Sequence, residues 1–206
     1  MNGIITAGGK GSRLGLPYNK HLALVYDRPM IEYPLQTMRD MGVDNPVIVT
    51  NLGQTLAEGY RHMSQTEPLG MPDAIAQAEG FVEGVFPVLA GDVYFNPSPE
   101  VPTEPTLYYH EFDGAHNHSV WNPETNEIIE KPARAIGQRA IVAYAFDERV
   151  FDIIRTLKPS ERGELEMTDI YERYIKLGCK MVEYTGFFQD MGTPDGLLRV
   201  ANYVKG

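Results

Sequence analysis

The chain has 206 residues, 43% of them hydrophobic and 22% charged, which is enough for one sizeable core and ordinary for a globular protein. Its formal net charge of −10 argues against a nucleic-acid groove, which needs a basic stripe. No apolar run approaches the roughly 18–20 residues of a membrane span, and the single Cys179 cannot form an internal disulfide, which fits a reducing compartment.

Taken in chain order, residues 4–7 read as a buried strand that runs into a glycine-rich loop. No basic leader region precedes that strand, so no secretory signal is expected and the cytoplasm is the expected compartment. A helix is expected over 29–41, with Asp27 upstream, Pro29 in its first turn and Gly42 at its end. Met30, Pro34, Met38 and Met41 recur on it at core-facing spacing. Residues 47–50 read as a second strand, 56–63 as a short helix, 72–82 as another helix and 85–90 as a third apolar strand that ends at Gly91-Asp92. This alternation predicts an α/β fold, a Rossmann-like, mostly parallel sheet flanked by helices, with ligands at the carboxyl ends of the strands.

A proline-rich connector over 97–105 leads to strands at 106–112, 119–121, 127–130 and 139–146, with a hairpin turn over 122–126. Helices follow over 148–156 and 168–177, with Thr168 as N-cap. A strand over 180–184 and a helix over 194–204 complete the pattern, and Cys179 reads as a small packed thiol after the helix-ending Gly178. One domain is expected, with 1–95 and 106–206 as its two halves.

The loop after the first strand carries the chemistry. Gly8, Gly9 and Gly11 lie within four positions, and glycines there let several N–H groups approach an anion unhindered. Arg13 and Lys20 behind the loop suit a polyphosphate whose charge must be neutralised during transfer. The dinucleotide fingerprint is absent, because the third glycine is missing, and so is the Gly-Lys-Ser/Thr of a P-loop. Asp92, a carboxylate at a strand end beside such a loop, is a natural Mg²⁺ ligand.

The Gly-Gly-x-Gly-x-Arg loop with its lysine resembles that of the sugar-phosphate nucleotidyltransferases. The segments Tyr26-Asp-Arg-Pro-Met-Ile-Glu-Tyr-Pro-Leu35 and Leu157-Lys-Pro-Ser-Glu-Arg-Gly-Glu-Leu-Glu-Met-Thr-Asp-Ile170 resemble the glucose-1-phosphate thymidylyltransferases in particular. The resemblance implies catalytic roles for Arg13 and Lys20 and nucleotide contacts from Ala7, Gly8, Gly9, Gly11, Ser12, Gln65 and Gly70. It implies sugar-phosphate contacts from Glu130, Lys131 and Ser119, and Mg²⁺ held by Asp92 and by Asp190 of Gln189-Asp-Met-Gly-Thr193. The implied partners are a nucleoside triphosphate, dTTP foremost with UTP and CTP open, and a sugar 1-phosphate; a homo-oligomer is possible within the family.

The chain also departs from the pattern. Ser119 replaces a family glycine whose backbone approaches the sugar, Ala143 replaces another, and Lys20-His-Leu-Ala-Leu24 lacks a common proline. The serine would reshape the sugar pocket. Longer members carry a C-terminal helical extension tied to oligomer contacts and feedback, so that control is not expected. His110, His116 and His118 lack a second ligand pair at zinc-like spacing and read as solvated or hydrogen-bonded. Glu164, Glu166 and Asp169 read as packing and capping residues, because transfer from an ionised phosphate needs no general base. Two other readings use the same residues: a cytidylyltransferase acting on a non-sugar phosphate such as phosphocholine, and an inactive nucleotide-binding regulator.

Overall fold

The computed structural model describes residues 2–9, 11–111, 118–132 and 139–206. Phe112 at the end of the strand expected over 106–112, His116 and the side chain of Ser12, which enter the sequence reading, lie outside what is described. The elements are β1 (Ile4–Thr6), β2 (Leu24–Val25), β3 (Arg28–Pro29), α1 (Glu32–Asp40), β4 (Val47–Asn51), β5 (Arg61–Gln65), α2 (Met71–Ala76), β6 (Phe86–Ala90) and β7 (Val93–Asn96). They continue with β8 (Thr106–Glu111), β9 (Ser119–Trp121), β10 (Ile128–Glu130), β11 (Arg139–Phe146), α3 (Arg149–Thr156), α4 (Met167–Lys176), β12 (Lys180–Glu183), β13 (Phe187–Asp190) and α5 (Pro194–Lys205).

Nine of the described strands form one mixed sheet, with helices packed against it. Its N-terminal part, β6-β1-β4-β5, is parallel throughout, as the strand–helix alternation requires. Strand β11 joins the second half to it by pairing antiparallel with β6, and also with β8 and β9. One edge of β11 pairs with β9 through Arg139 and Ala140, then with β6 through Tyr144 to Phe146. Residues 141–143 therefore stand where β6 and β9 part, with a register irregularity on the opposite edge. A crevice opens at such a divergence.

The apolar runs fill both faces of the sheet. One cluster packs Ile4, Val49 and Phe86 with Ile141, Phe146, Met167 and Tyr174, and so draws on both halves of the chain. A second holds Ile5, Leu35, Met38 and Ile48 with Tyr108 and Val142. Met30, Met38 and Met41 are buried, as their spacing indicated.

Several expected elements change. Residues 56–63 hold no helix; their C-terminal part is β5, whose main chain pairs with β4 from Val47↔Arg61 to Asn51↔Gln65. Gly59 at φ +83 breaks the helical spacing, and sheet pairing overrides it. The helix expected from Pro29 begins at Glu32, because Pro29 belongs to a small β2–β3 hairpin turned at Tyr26, φ +59. The helix expected over 72–82 ends at Ala76 and continues as tight turns. Thr168 is no N-cap: it lies inside α4, buried, with Glu166 in the capping position. The sequence reading also missed β7 and β13, an antiparallel ribbon outside the main sheet.

Candidate active site

The glycine loop leaves the carboxyl end of β1 and turns over the side chain of Lys20. Gly11 sits at φ +62, where a β-carbon would lie 3.0 Å from Lys20 Cβ. A glycine therefore meets both the left-handed backbone and the close approach of the lysine stem. Ala7 is buried beneath the loop, with its N–H donated to Val49 O at 2.7 Å. Ser12 begins a single 3₁₀ turn, Ser12–Leu14, that carries the exposed Arg13.

Lys20 opens a second 3₁₀ turn, Lys20–Leu22, capped by Asn19, whose Oδ1 accepts the His21 N–H at 3.0 Å. Its ammonium pairs with Asp92 Oδ2, and both side chains are nearly buried. Asp92 follows β6, and the ribbon starts immediately beyond it. Across the ribbon Asp190 faces Val93, and Met191 N–H donates to Asp92 O at 2.7 Å. Two carboxylates far apart in sequence are thereby set side by side. Gly192 N–H donates to Asp190 Oδ1 at 2.5 Å. Burial and the neighbouring Asp92 carboxylate push the Asp190 carboxyl up to about 6. Burial would also raise Asp92, but its neighbours together, the Lys20 ammonium foremost with His21 and Arg13 adding to it, hold that carboxyl below its ordinary value.

Gln65 ends β5, buried. Its Nε2 donates to Gly70 O at 3.0 Å and to Asp73 Oδ2 at 2.7 Å. Both neighbours are acceptors, so the nitrogen must face them and Oε1 is left beside Gly8 as an acceptor. Gly70 is at φ +101, and a β-carbon there would meet Leu165 O at 2.6 Å. With Leu165 N–H donating to Leu69 O at 2.8 Å, this contact docks the 157–170 signature onto the loop beside Gln65.

A second group lies across the same cleft. Ser119 Oγ donates to Glu130 Oε2 at 2.6 Å, so the serine fixes that carboxylate. Lys131 Nζ approaches Glu130 Oε1 at 3.2 Å, and its backbone is left-handed at φ +43. Arg162, to which sequence reading assigned no role, stands 3.5 Å from Glu130 Oε1 and pairs with Glu166 at 2.6 Å. Glu166 also accepts from Ser160 Oγ at 2.6 Å. His21 was likewise overlooked; it is buried on the cleft floor against Gly91. His118 lines the cleft against Phe188, whereas His110 donates its Nδ1–H to Tyr184 O at 2.6 Å.

One cleft of about 750 Å³ thus gathers Gly8, Gly9, Gly11, Arg13, Lys20, Gln65, Gly70, Asp92, Ser119, Glu130, Lys131 and Asp190. Such a volume suits a drug-sized to cofactor-sized ligand. The carboxylate pair also fits a divalent cation in a limited way. Among the described residues no third His, Cys, Asp or Glu completes a ligand set. Two carboxylates are what Mg²⁺ commonly takes from protein when phosphates and water fill the remaining positions.

Residues 3–101 match the MobA-like NTP transferase domain family and residues 109–205 the nucleotidyl transferase family. A glucose-1-phosphate thymidylyltransferase of Actinoplanes is 31% identical, covering 100% of this chain and 78% of its own. One from Neisseria meningitidis is 28% identical, covering 100% and 83%. A Bacillus anthracis structure named as a glucose-1-phosphate thymidylyltransferase superposes with a TM-score of 0.87 at 29% identity, covering 99% of this chain and 95% of its own. A UDP-glucose pyrophosphorylase structure shares the fold, at TM-score 0.83 and 19% identity over 99% and 98% of the two chains. Because these likenesses run the length of the chain, through the glycine loop, the ribbon and the 157–170 segment alike, it belongs to the sugar-phosphate nucleotidyltransferase family.

Proposed function

We propose that the protein transfers a thymidylyl group from dTTP to a sugar 1-phosphate, releasing pyrophosphate and forming a nucleoside-diphosphate sugar. The observation that carries this reading is the single cleft, with cations and paired carboxylates at the glycine loop and a second pair of cations, Lys131 and Arg162, across from them. A binding protein needs one anion site; a transferase needs two that face each other.

An acceptor phosphate held by Lys131 and Arg162 attacks the α-phosphorus in line. A new oxygen–phosphorus bond forms as the bond to the β-phosphate bridging oxygen breaks. The amides of Gly8, Gly9 and Gly11, with Arg13, hold the departing phosphates, and Lys20 balances charge developing at the α-phosphate. Asp92 and Asp190 are the residues that would hold Mg²⁺, which when bound neutralises phosphate charge. Glu130, fixed by Ser119, is aimed at hydroxyls of the sugar. The division of labour assigns nucleotide binding to residues 1–95 and the sugar phosphate to 106–206, with Asp190 reaching back from the second half.

Gln65 favours thymine and uracil over cytosine. Its free Oε1 can accept from the N3–H of the first two, whereas N3 of cytosine is itself an acceptor. The names of the similar proteins favour dTTP. The test is pyrophosphate release from Mg²⁺ with each of five nucleoside triphosphates, crossed with sugar 1-phosphates and phosphocholine. Release with dTTP and one sugar 1-phosphate, lost in Asp92→Asn, is expected. Release confined to CTP with phosphocholine would make the enzyme a different transferase, and nucleotide binding without release would make it a regulator.

A further inference from the structure

Lys20, Asp92 and Asp190 converge on one point. A β-carbon on Gly192 would lie 2.8 Å from Asp190 Oδ1, 2.9 Å from Asp92 Oδ2 and 3.5 Å from Lys20 Nζ. The lysine is guided there by its surroundings. The glycine loop covers its stem, since a β-carbon on Gly11 would come within 3.0 Å of Cβ and one on Gly9 within 3.8 Å of Nζ. Only 10% of the Lys20 side chain and 12% of the Asp92 side chain are exposed, so water screens their attraction weakly. The carboxylate oxygen that a divalent cation would need is therefore already taken by an ammonium. A cation entering beside that ammonium would meet strong repulsion in the same weakly screened space.

We infer that Lys20 is a place-holding counter-ion: in the nucleotide-free protein its ammonium occupies the Asp92 oxygen, and only a triphosphate that draws the ammonium away frees the carboxylate pair for a divalent cation. The inference rests on the reading of Asp92 and Asp190 as the metal pair. It makes metal and nucleotide bind with positive coupling, each strengthening the other. It also explains how two buried carboxylates can stand together in the free protein, since one of them keeps a cation.

The test follows free Mn²⁺ by electron paramagnetic resonance in titrations of the nucleotide-free protein. It compares wild type with Lys20→Met, Lys20→Gln and Arg13→Met. The glutamine variant keeps an N–H for Asp92 Oδ2 and serves if the methionine variant does not fold. Both Lys20 variants should bind Mn²⁺ at least about fivefold tighter than wild type, the lower end of ordinary coupling between sites. Arg13→Met removes an equal charge that acts on Asp92 only from a distance, and it should change the affinity much less. Adding dTTP should tighten Mn²⁺ binding more in wild type than in the Lys20 variants. Equal affinities of wild type and the Lys20 variants without nucleotide overturn the inference, while Mn²⁺ binding by wild type with dTTP leaves the metal reading standing. Equal tightening by Arg13→Met also overturns it, because diffuse charge would then suffice. No Mn²⁺ binding by any of the proteins, with or without dTTP, overturns the inference and the metal reading together.

Discussion

His21 is 1% exposed, and its edge is pressed against Gly91, where a β-carbon would lie 2.8 Å from Cδ2 and 2.9 Å from Nε2. Asn19 Oδ1 lies 2.7 Å from its Nδ1 and also accepts the backbone N–H of His21, so that atom is an oxygen and Nδ1 carries the proton. Burial, with the Lys20 ammonium adding to it and Asp92 opposing, pushes the imidazole down to about 4. An unfolded chain protonates this group near 6.5, so between about 4 and 6.5 it binds a proton that the folded chain refuses. Stability from His21 is therefore present above 6.5 and is lost as pH falls through that window, at roughly 1.4 kcal/mol per pH unit. Asp190, raised to about 6, acts in the opposite sense between its ordinary 3.8 and about 6, because there the folded state holds the extra proton. The informative quantity is thus a difference between variants. In urea unfolding between pH 4.5 and 6, His21→Gln should show a free energy that rises with pH less steeply than wild type, by about 1 kcal/mol per unit. Parallel slopes would mean that His21 titrates alike in both states. The sequence displayed the loop, Arg13, Lys20 and Asp92, because each lies in a short local pattern. His21 could not be read that way, since its meaning comes from the backbone approach of Gly91. Arg162 lay in plain view inside the 157–170 segment, but only the docking of Leu165 on Leu69 turns it towards Glu130.

Asp190 owes its place to whole elements. Strand β13 carries it, β7 holds it beside Asp92, and α5 closes behind. Thr193 caps α5 by accepting Gly196 N–H at 3.1 Å, and Phe187 stacks on Tyr203 with ring centroids 4.0 Å apart. A β-carbon on Gly196 would lie 2.0 Å from Asp190 O, so the helix start and the ribbon touch backbone to backbone. Helix propensity alone would make Gly196→Ala stabilising by roughly 1 kcal/mol. The collision reverses the sign: the variant should lose roughly 1–3 kcal/mol, the usual cost of overpacking, and should also lose transferase turnover as Asp190 is displaced. Thermal unfolding and pyrophosphate release measure the two losses, and a stabilised, fully active variant would show that α5 does not set Asp190. Strands β1, β4 and β6 of the parallel core and the helices over 149–156 and 167–176 were legible because each is a full apolar run or a pattern of two or more turns. The ribbon was not, since four residues directly after Asp92 give no periodicity to count. Residues 56–63 misled for a related reason: apolar residues at helical spacing surround Gly59, whose left-handed backbone at φ +83 ends any helical run.

For the whole molecule the question is whether its two halves respond as one. The largest apolar cluster packs Ile4, Val49 and Phe86 from the first half with Phe146, Met167 and Tyr174 from the second, and the sheet crosses between them at β6 and β11. Shared core and shared sheet argue for a single cooperative transition. The acidic balance adds a condition on ligand binding, since a triphosphate must approach a chain of net charge −10. On the proposed reading its local welcome is Arg13, Lys20 and the glycine loop, and the paired carboxylates beside them repel it until a divalent cation accompanies it. With Mg²⁺ present, dTTP at about a hundred times its dissociation constant should add about 2.7 kcal/mol of stability. For a chain of this length that is a rise in Tm of about 5–10 °C. The same dTTP without Mg²⁺ should give a much smaller rise, and Mg²⁺ alone almost none. Differential scanning calorimetry would show the entire endotherm moving as one if the halves form a single unit. An endotherm that splits, with one part left at its original temperature, would mean that the β6–β11 seam does not carry the coupling and that the half over 106–206 melts on its own.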